Sequence, residues 1–393
     1  MTAATVLAVS SLLALAQTPA PTAAPATTAT APVAADIPVP AVNAPVYLVV
    51  EATSGQVLAE NNSWQKRDPA SLTKLMTAYL VFDALHQKQI SLSQRVQVPE
   101  RAWKAEGSRM FVAPGVQVTT EDMLRGLIIQ SGNDAAIALA IAVAGNEGEF
   151  VARMNRQAKK LGMADTQFVN PTGLTQQGHY STGRDLAVLS LALMRDFPQY
   201  IKFYAEKSFT FNKITQENRN RLLFLDPTVD GLKTGHTDAA GWCLISTVNR
   251  PPRKLLALVL GAPSEAARIS ESRKLIDWAF TAFEGKRLYE AKKPIQQLTV
   301  WKATVDSIPI GFNDDVTAVT TTGKSWDITT ELTIVEPKFG PIAAGDTVGL
   351  LKVKRAGNLI YERNVIAMEA APVAPMWKRM WHSVVLFFKG LVK

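Results

Sequence analysis

The chain has a single cysteine, Cys243, in 393 residues, so no disulfide can form within it and metal sites built on paired thiolates are excluded. Histidine is nearly as scarce. His86, His179, His236 and His382 are scattered with no His-x-x-x-His pair, which argues against a zinc enzyme, and neither metal nor cofactor is expected. No run of arginines interleaved with aromatics accompanies the formal net charge of +8, so nucleic acid is not the expected partner. Such diffuse basicity suits work beside anionic polymer and lipid. Long apolar runs are also missing. Val6 to Ala16 is too short to span a bilayer, and it ends in Ala14-Leu15-Ala16, a small-residue pattern like a signal-peptidase site. Residues 1–16 are therefore read as a signal peptide, although no Lys or Arg precedes the apolar stretch. Residues 17–44 are mostly Ala, Pro, Thr and Val, with too little large apolar surface to bury a core, and read as a flexible linker.

What is present is a 47% hydrophobic composition, enough for one large domain and a smaller companion. Three short motifs follow one another in it: Ser71-Leu72-Thr73-Lys74, Ser131-Gly132-Asn133 and Lys233-Thr234-Gly235. A second Ser-x-x-Lys string, Ser63 to Lys66, runs into Arg67-Asp68-Pro69, where a loop is expected and nothing aligns the two side chains. Ser71 instead opens the helical apolar series Leu72, Leu75, Met76, Tyr79, Leu80. Residues three apart share a helix face, so the Lys74 amine reaches the Ser71 hydroxyl. A serine is a poor nucleophile until a base takes its proton. Lysine is such a base only when desolvation or a neighbouring cation depresses its pKa, and Lys233 is the candidate cation. Ser131 and Asn133 are then expected to relay a proton and hold a substrate amide.

Val46–Val50 and the residues around Val57 read as a hairpin turning at Ser54-Gly55. Helices are expected from Ser71 to His86, on both sides of Ser131-Gly132-Asn133, from Phe150 to Leu161, from Arg184 to Met194 and from Glu265 to Phe283. Val229 to Thr234 reads as a strand, followed by a hairpin over Gly241–Leu260. Strands at both ends with helices between them predict one α+β domain, 45–284, whose terminal strands share a sheet. From 285 to 370, short alternating stretches predict a small all-β, sandwich-like domain without a reactive constellation. In the last segment, 371–393, Trp377, Met380, Trp381, Val384, Val385, Phe388 and Leu391 fall on one helical face. Lys378, Arg379, His382, Lys389 and Lys393 lie mostly on the other. This is the pattern of an amphipathic helix lying on an anionic membrane surface, or of a helix packed on the protein itself.

Around the three motifs, Arg67 to Lys74, Gln130 to Ala135 and Val229 to Thr237 resemble the serine D-Ala-D-Ala carboxypeptidases, the low-molecular-mass penicillin-binding proteins. The resemblance implies a penicillin-binding/β-lactamase-like transpeptidase domain at the periplasmic face of the bacterial inner membrane. It also implies removal of the terminal D-alanine from peptidoglycan pentapeptide stems, and acylation by β-lactams. Ser71, Lys74 and Ser131 would be catalytic, and Asn133, Lys233, Thr234, Gly235 and His236 would bind substrate. Arg268 and Arg219 resemble carboxylate-binding arginines, with a solvated helix residue and a loop-organising residue as the respective alternatives. His236 is expected to support Lys233, and Asp185 to start a helix. A β-lactamase, a D,D-endopeptidase using the same site and a non-catalytic murein-binding scaffold are the competing readings.

Overall fold

The computed structural model describes residues 37–323, 327–334 and 338–391. The expected signal peptide and most of the expected linker lie outside these residues.

The first unit begins with the hairpin β1 (Val46–Glu51) and β2 (Val57–Asn61). A 3-10 turn, Ala70–Thr73, then runs straight into α1 (Lys74–His86). A helical region follows: α2 (Glu100–Trp103) sits between the paired strands β3 (Arg95–Gln97) and β4 (Gln117–Thr119), and after it come α3 (Thr120–Ile128), α4 (Asn133–Ala144) and α5 (Glu147–Leu161). Next are α6 (Gly183–Asp196), α7 (Lys202–Ala205), the hairpin β5 (Ser208–Phe211) and β6 (Ile214–Glu217), and α8 (Leu222–Leu225). The chain closes the unit with β7 (Val229–Thr237), β8 (Gly241–Arg250), β9 (Arg253–Ala262) and α9 (Glu265–Ala282).

The five strands order as β2-β1-β9-β8-β7, so chain beginning and chain end do share one antiparallel sheet. Pattern explains the layering. Val46, Leu48 and Val50 alternate onto the face covered by α6, while Val49 points to the face covered by α9. Central β9 reads as a near-continuous apolar run because helices cover both of its faces. Helix α4, apolar all round over Ala135–Ala140, is buried accordingly. Side-chain caps set the helix starts: Thr119 accepts from Asp122 N, Asn146 from Glu149 N, Thr182 from Asp185 N and Ser264 from Ala267 N. Asp185 is thus in the first turn of α6 rather than its cap. Its carboxylate accepts Asp165 N at 2.9 Å and the Thr166 hydroxyl at 2.7 Å, tying an incoming loop to the helix.

The second unit contains β10 (Phe283–Tyr289), β11 (Gln296–Trp301), β12 (Ser307–Gly311), β13 (Val316–Thr321), β14 (Ile328–Ile334), β15 (Lys338–Phe339), β16 (Thr347–Arg355) and β17 (Asn358–Ala367). A six-stranded sheet, β14-β16-β17-β12-β11-β15, and the β10-β13 pair enclose a core around Val300, Ile310, Leu351 and Val365. The alternating stretches expected from sequence, 295–305, 316–321, 327–335, 347–353 and 359–368, leave out β10, β12 and the two-residue β15; of β10 and β12 the reasons are plain. The first continues directly from α9 with no turn signal between them, and the second is a short segment containing Pro309. Two bonds fasten this unit to the sheet hairpin of the first: Val319 N–H donates to Gln56 Oε1 at 3.2 Å, and Arg363 Nη2 to the Thr53 carbonyl at 2.8 Å.

Two expectations change. The last residues of the supposed linker are docked on α9, where the Trp278 indole donates to the Ile37 carbonyl at 3.0 Å and Asn43 N–H to Glu271 Oε2 at 3.2 Å. The terminal helix α10 (Met376–Leu391) turns part of its polar side to the β domain. There Lys302 N–H donates to His382 Nδ1 at 2.8 Å and Lys378 Nζ to Asp306 Oδ1 at 2.8 Å. The Lys378 cation and the His382 ring are therefore spent on the protein's own surface, while Trp377, Trp381, Phe387 and Phe388 remain 71%, 63%, 66% and 61% exposed. Lys389, Leu391 and Lys393 lie outside the described side chains.

Candidate active site

The turn that carries Ser71 is built under constraint. Asp68 Oδ1 accepts Ala70 N–H at 2.8 Å, and Ala70 itself takes a left-handed φ of 45°, an uncommon conformation for a residue with a Cβ. That bend delivers Ser71 at the mouth of a cleft and Lys74 one turn deeper, at the start of α1. Gly235 on β7 backs the turn. A Cβ there would meet Ala70 Cβ at 3.2 Å and the Pro69 carbonyl at 3.3 Å, so the third motif needs its glycine for close packing rather than for a ligand.

Lys74 Nζ donates to Ser71 Oγ at 2.9 Å, to Asn133 Oδ1 at 2.6 Å and to the Thr172 carbonyl at 2.6 Å. Three acceptors match the three donors of its ammonium, and in the neutral amine two N–H stay bonded to Asn133 and Thr172 while the lone pair faces the Ser71 hydroxyl. Burial pulls its pKa down to about 7, opposed by the negative charge of Asp134. Desolvation, not the Lys233 cation expected from sequence, is therefore what frees this amine. Charge repulsion falls instead on Lys233, which is buried and driven well below its ordinary value first by desolvation and then by Lys74, Arg268 and Arg219. Its ammonium has the Thr234 carbonyl at 3.0 Å.

Ser131 stands in the break between α3 and α4 with a φ of 64°, and its buried hydroxyl has no hydrogen-bond partner in the described structure. Buried hydroxyls are rarely left so, and one beside a reaction centre is free to engage a substrate or a transferring proton. Asn133 does more than the sequence suggested. Its Oδ1 holds Lys74 while its Nδ2 donates to the Glu106 carbonyl at 2.6 Å, joining Lys74 to the 106–112 segment. The next residue, Asp134, pins that segment by accepting Met110 N–H and Phe111 N–H, each at 3.0 Å.

The cleft has a volume of about 420 Å³, and Ser71, Ser108, Asn133, Thr172, Arg219 and His236 are among the residues that line it, with Thr237 beyond them. Arg219 is exposed there. Arg268 does not line it. It is 3% exposed, pairs with Glu265 Oε1 at 2.6 Å, donates to the Arg219 carbonyl at 3.4 Å and stacks over Trp242. His236 also packs on that indole, with ring centroids 4.0 Å apart, so it walls the cleft from the end of an Arg268–Trp242–His236 stack rather than bracing Lys233. Among the described residues strand β7 pairs only with β8, leaving its outer edge beside the cleft.

Residues 29–264 match the family described as D-alanyl-D-alanine carboxypeptidase, peptidase S11. The chain belongs to the S11 D-alanyl-D-alanine carboxypeptidase family. Residues 283–372 match the C-terminal domain of penicillin-binding protein 5. The D-alanyl-D-alanine carboxypeptidase DacC of Escherichia coli is 38% identical over 89% of this chain and 89% of its own length. DacA of Haemophilus influenzae is 36% identical over 90% and 91%. Among solved structures, penicillin-binding protein 5 from Haemophilus influenzae superposes with a TM-score of 0.71 at 35% identity, covering 86% of this chain and 99% of that one. Penicillin-binding protein D2 from Listeria monocytogenes, solved with ampicillin bound, reaches 0.57 at 31% identity over 61% of this chain and 98% of its own. The S11 chain thus carries D-alanyl-D-alanine carboxypeptidase function on a penicillin-binding catalytic domain followed by an all-β domain.

Sequence reasoning missed the Thr172 carbonyl, His179, Gly173 and Thr237. A backbone acceptor carries no residue-type signature, and only the Pro171-Thr172-Gly173 turn signal marked that loop at all.

Proposed function

We propose that Ser71 is the nucleophile and Lys74 its base in the release of D-alanine from peptidoglycan pentapeptide stems. The observation that carries this is a buried, three-fold-bonded amine 2.9 Å from a serine hydroxyl at a cleft mouth. Ser71 Oγ attacks the carbonyl of the penultimate D-alanine as Lys74 Nζ takes its proton. The tetrahedral oxyanion is met by the Ser71 N–H and one N–H from β7. Collapse breaks the peptide bond, D-alanine leaves with a proton relayed from Lys74, assisted by Ser131, and water then hydrolyses the ester on Ser71. The open edge of β7 accepts the peptide as an added strand. A terminal carboxylate is received by the positive field of Arg219, Lys233 and buried Arg268, and its arrival draws Lys233 back toward the charged form. Penicillins enter by the same acylation.

No carboxylate is among the cleft-lining residues, so deacylating water has no acidic activator of the class A β-lactamase kind and relies on the same lysine. Penicillin labelling with a peptide map tests the assignment: an adduct on Ser71 with D-alanine release from diacetyl-Lys-D-Ala-D-Ala is expected, and an adduct elsewhere refutes it. The same proposal places the protein on the periplasmic face of the inner membrane, held by the exposed aromatic face of α10. No single described helix is long and apolar enough to cross a membrane.

A further inference from the structure

The carbonyl that completes the Lys74 site comes from irregular chain, 168–174, which needs something to hold it. Thr77 on α1 donates its hydroxyl to the Pro171 carbonyl at 2.7 Å, and Asn170 Oδ1 accepts Thr172 N–H at 3.1 Å and Gly173 N–H at 2.7 Å. At the start of the loop, Asn155 on α5 accepts Phe168 N–H at 2.9 Å and donates to the Phe168 carbonyl at 2.8 Å. A further tie is an imidazole. His179 Nδ1 accepts Val169 N–H at 3.1 Å, and its Nε2 lies 2.8 Å from the Thr73 hydroxyl. Because Nδ1 is an acceptor, the single proton of the neutral ring sits on Nε2 and is donated to Thr73. One side chain therefore bridges the start of the loop to the residue between nucleophile and base.

An imidazolium could not make this bridge, since it has no acceptor left. Burial holds the His179 pKa down to about 4 against the pull of Asp68, so the ring stays neutral across the working range of the enzyme. Its surroundings are Thr73 from the nucleophile turn, Val169 and the Phe168 ring edge from the loop, and Asp68 as the charged neighbour.

We propose that His179 is a positioning residue for acylation: its neutral ring clamps the 168–174 loop onto Thr73, keeping the Thr172 carbonyl on Lys74 and water away from the amine. The inference rests on the assignment of Ser71 and Lys74. Loosening the loop hydrates Lys74 and relieves the desolvation that depresses it, while Asp134 and Lys233, the charges that couple to that amine, are untouched. Lys74 then titrates at higher pH.

The test is the second-order rate of benzylpenicillin acylation between pH 5.5 and 9 for the full chain, His179→Ala and His179→Gln, with thermal melts of each. A glutamine amide can accept from Val169 and donate to Thr73. Expected is an upward move of the acid limb by about one pH unit in His179→Ala, with an about fivefold loss at pH 7, and its return in His179→Gln. Should His179→Ala fail to fold, Thr73→Val removes the other end of the clamp and is expected to move the limb in the same direction. A folded His179→Ala or Thr73→Val whose limb stays in place, whatever its rate, overturns the clamp, as does a His179→Gln no better than alanine. Wild-type protein with no adduct on Ser71 refutes the nucleophile instead, so the two failures are distinct.

Discussion

Asn133→Asp is a near-isosteric change that puts a carboxylate where an amide oxygen now sits 2.6 Å from Lys74 Nζ. With an amine titrating at about 7, the wild-type acylation rate is expected to fall about tenfold from pH 8 to pH 6, because the neutral fraction drops from about ten-elevenths to about one-eleventh. In the variant, opposite charges about 3 Å apart at an effective dielectric of about 20 attract by about 5 kcal/mol. Part of that is lost to desolvating the new carboxylate and to setting it against the Glu106 carbonyl, now bonded to the amide nitrogen. A net gain of about 3 kcal/mol is about two pKa units, raising Lys74 toward 9. The sign follows from the charged amine being the form stabilised. At pH 7 acylation is expected to fall about fiftyfold, and most of the loss to be recovered by pH 9.5. Stopped-flow or gel-based penicillin labelling across pH, with a melt to certify folding, measures it. A loss independent of pH, or a limb that does not move, would refute the assignment of Lys74 as the titrating base.

Other substitutions probe the remaining parts. Ser71→Ala should leave the melting temperature within about 3 °C of wild type and abolish the penicillin adduct in a mass spectrum, since only a part-buried hydroxyl is removed and Lys74 keeps Asn133 and Thr172 as acceptors. Gly173→Ala should cost about 3 kcal/mol or more in denaturant unfolding, because φ there is 83° and a Cβ would lie 1.8 Å from the Ala70 carbonyl oxygen. Arg219→Ala should lower kcat/KM about tenfold for a peptide ending in a free carboxylate and far less for its C-terminal amide; equal losses would remove Arg219 from carboxylate recognition. The pair Trp377→Ser and Trp381→Ser should release the protein from anionic vesicles in a sedimentation assay while leaving D-alanine release unchanged, and retained binding would discard the α10 face as the anchor.

Much of this site could be read from residue types because its chemistry is carried by side chains at fixed offsets. Ser71 and Lys74 meet across one turn, and α3 and α4 break where Ser131-Gly132-Asn133 was expected to interrupt them. Legibility ended where function passes to backbone or to depth. The Thr172 carbonyl could have come from any residue. Arg268 sits on a helix whose periodicity does not announce that position 268 is buried beneath Trp242, so its distance from the cleft required coordinates. The depressed pKa of Lys74 was expected on two alternative grounds, and only the packing of α1 against α4 and the 168–174 loop decides for burial. Likewise, Ala- and Pro-rich composition marks 37–44 as unable to form a core, but not as unable to lie on one already formed by α9.

The bolts at Gln56 and Arg363 join the β domain to the catalytic sheet, while His382 and Lys378 fasten α10 to the β domain's far loops. Linked in series, these joints turn the β domain into a strut. Whatever surface grips the exposed aromatics of α10, the Ser71 mouth is then carried at a set standoff from it instead of sweeping the volume a loose tether would allow. Trimming would be confined to stems presented at that height, so the length of the strut, and not the cleft alone, selects which part of the polymer is processed.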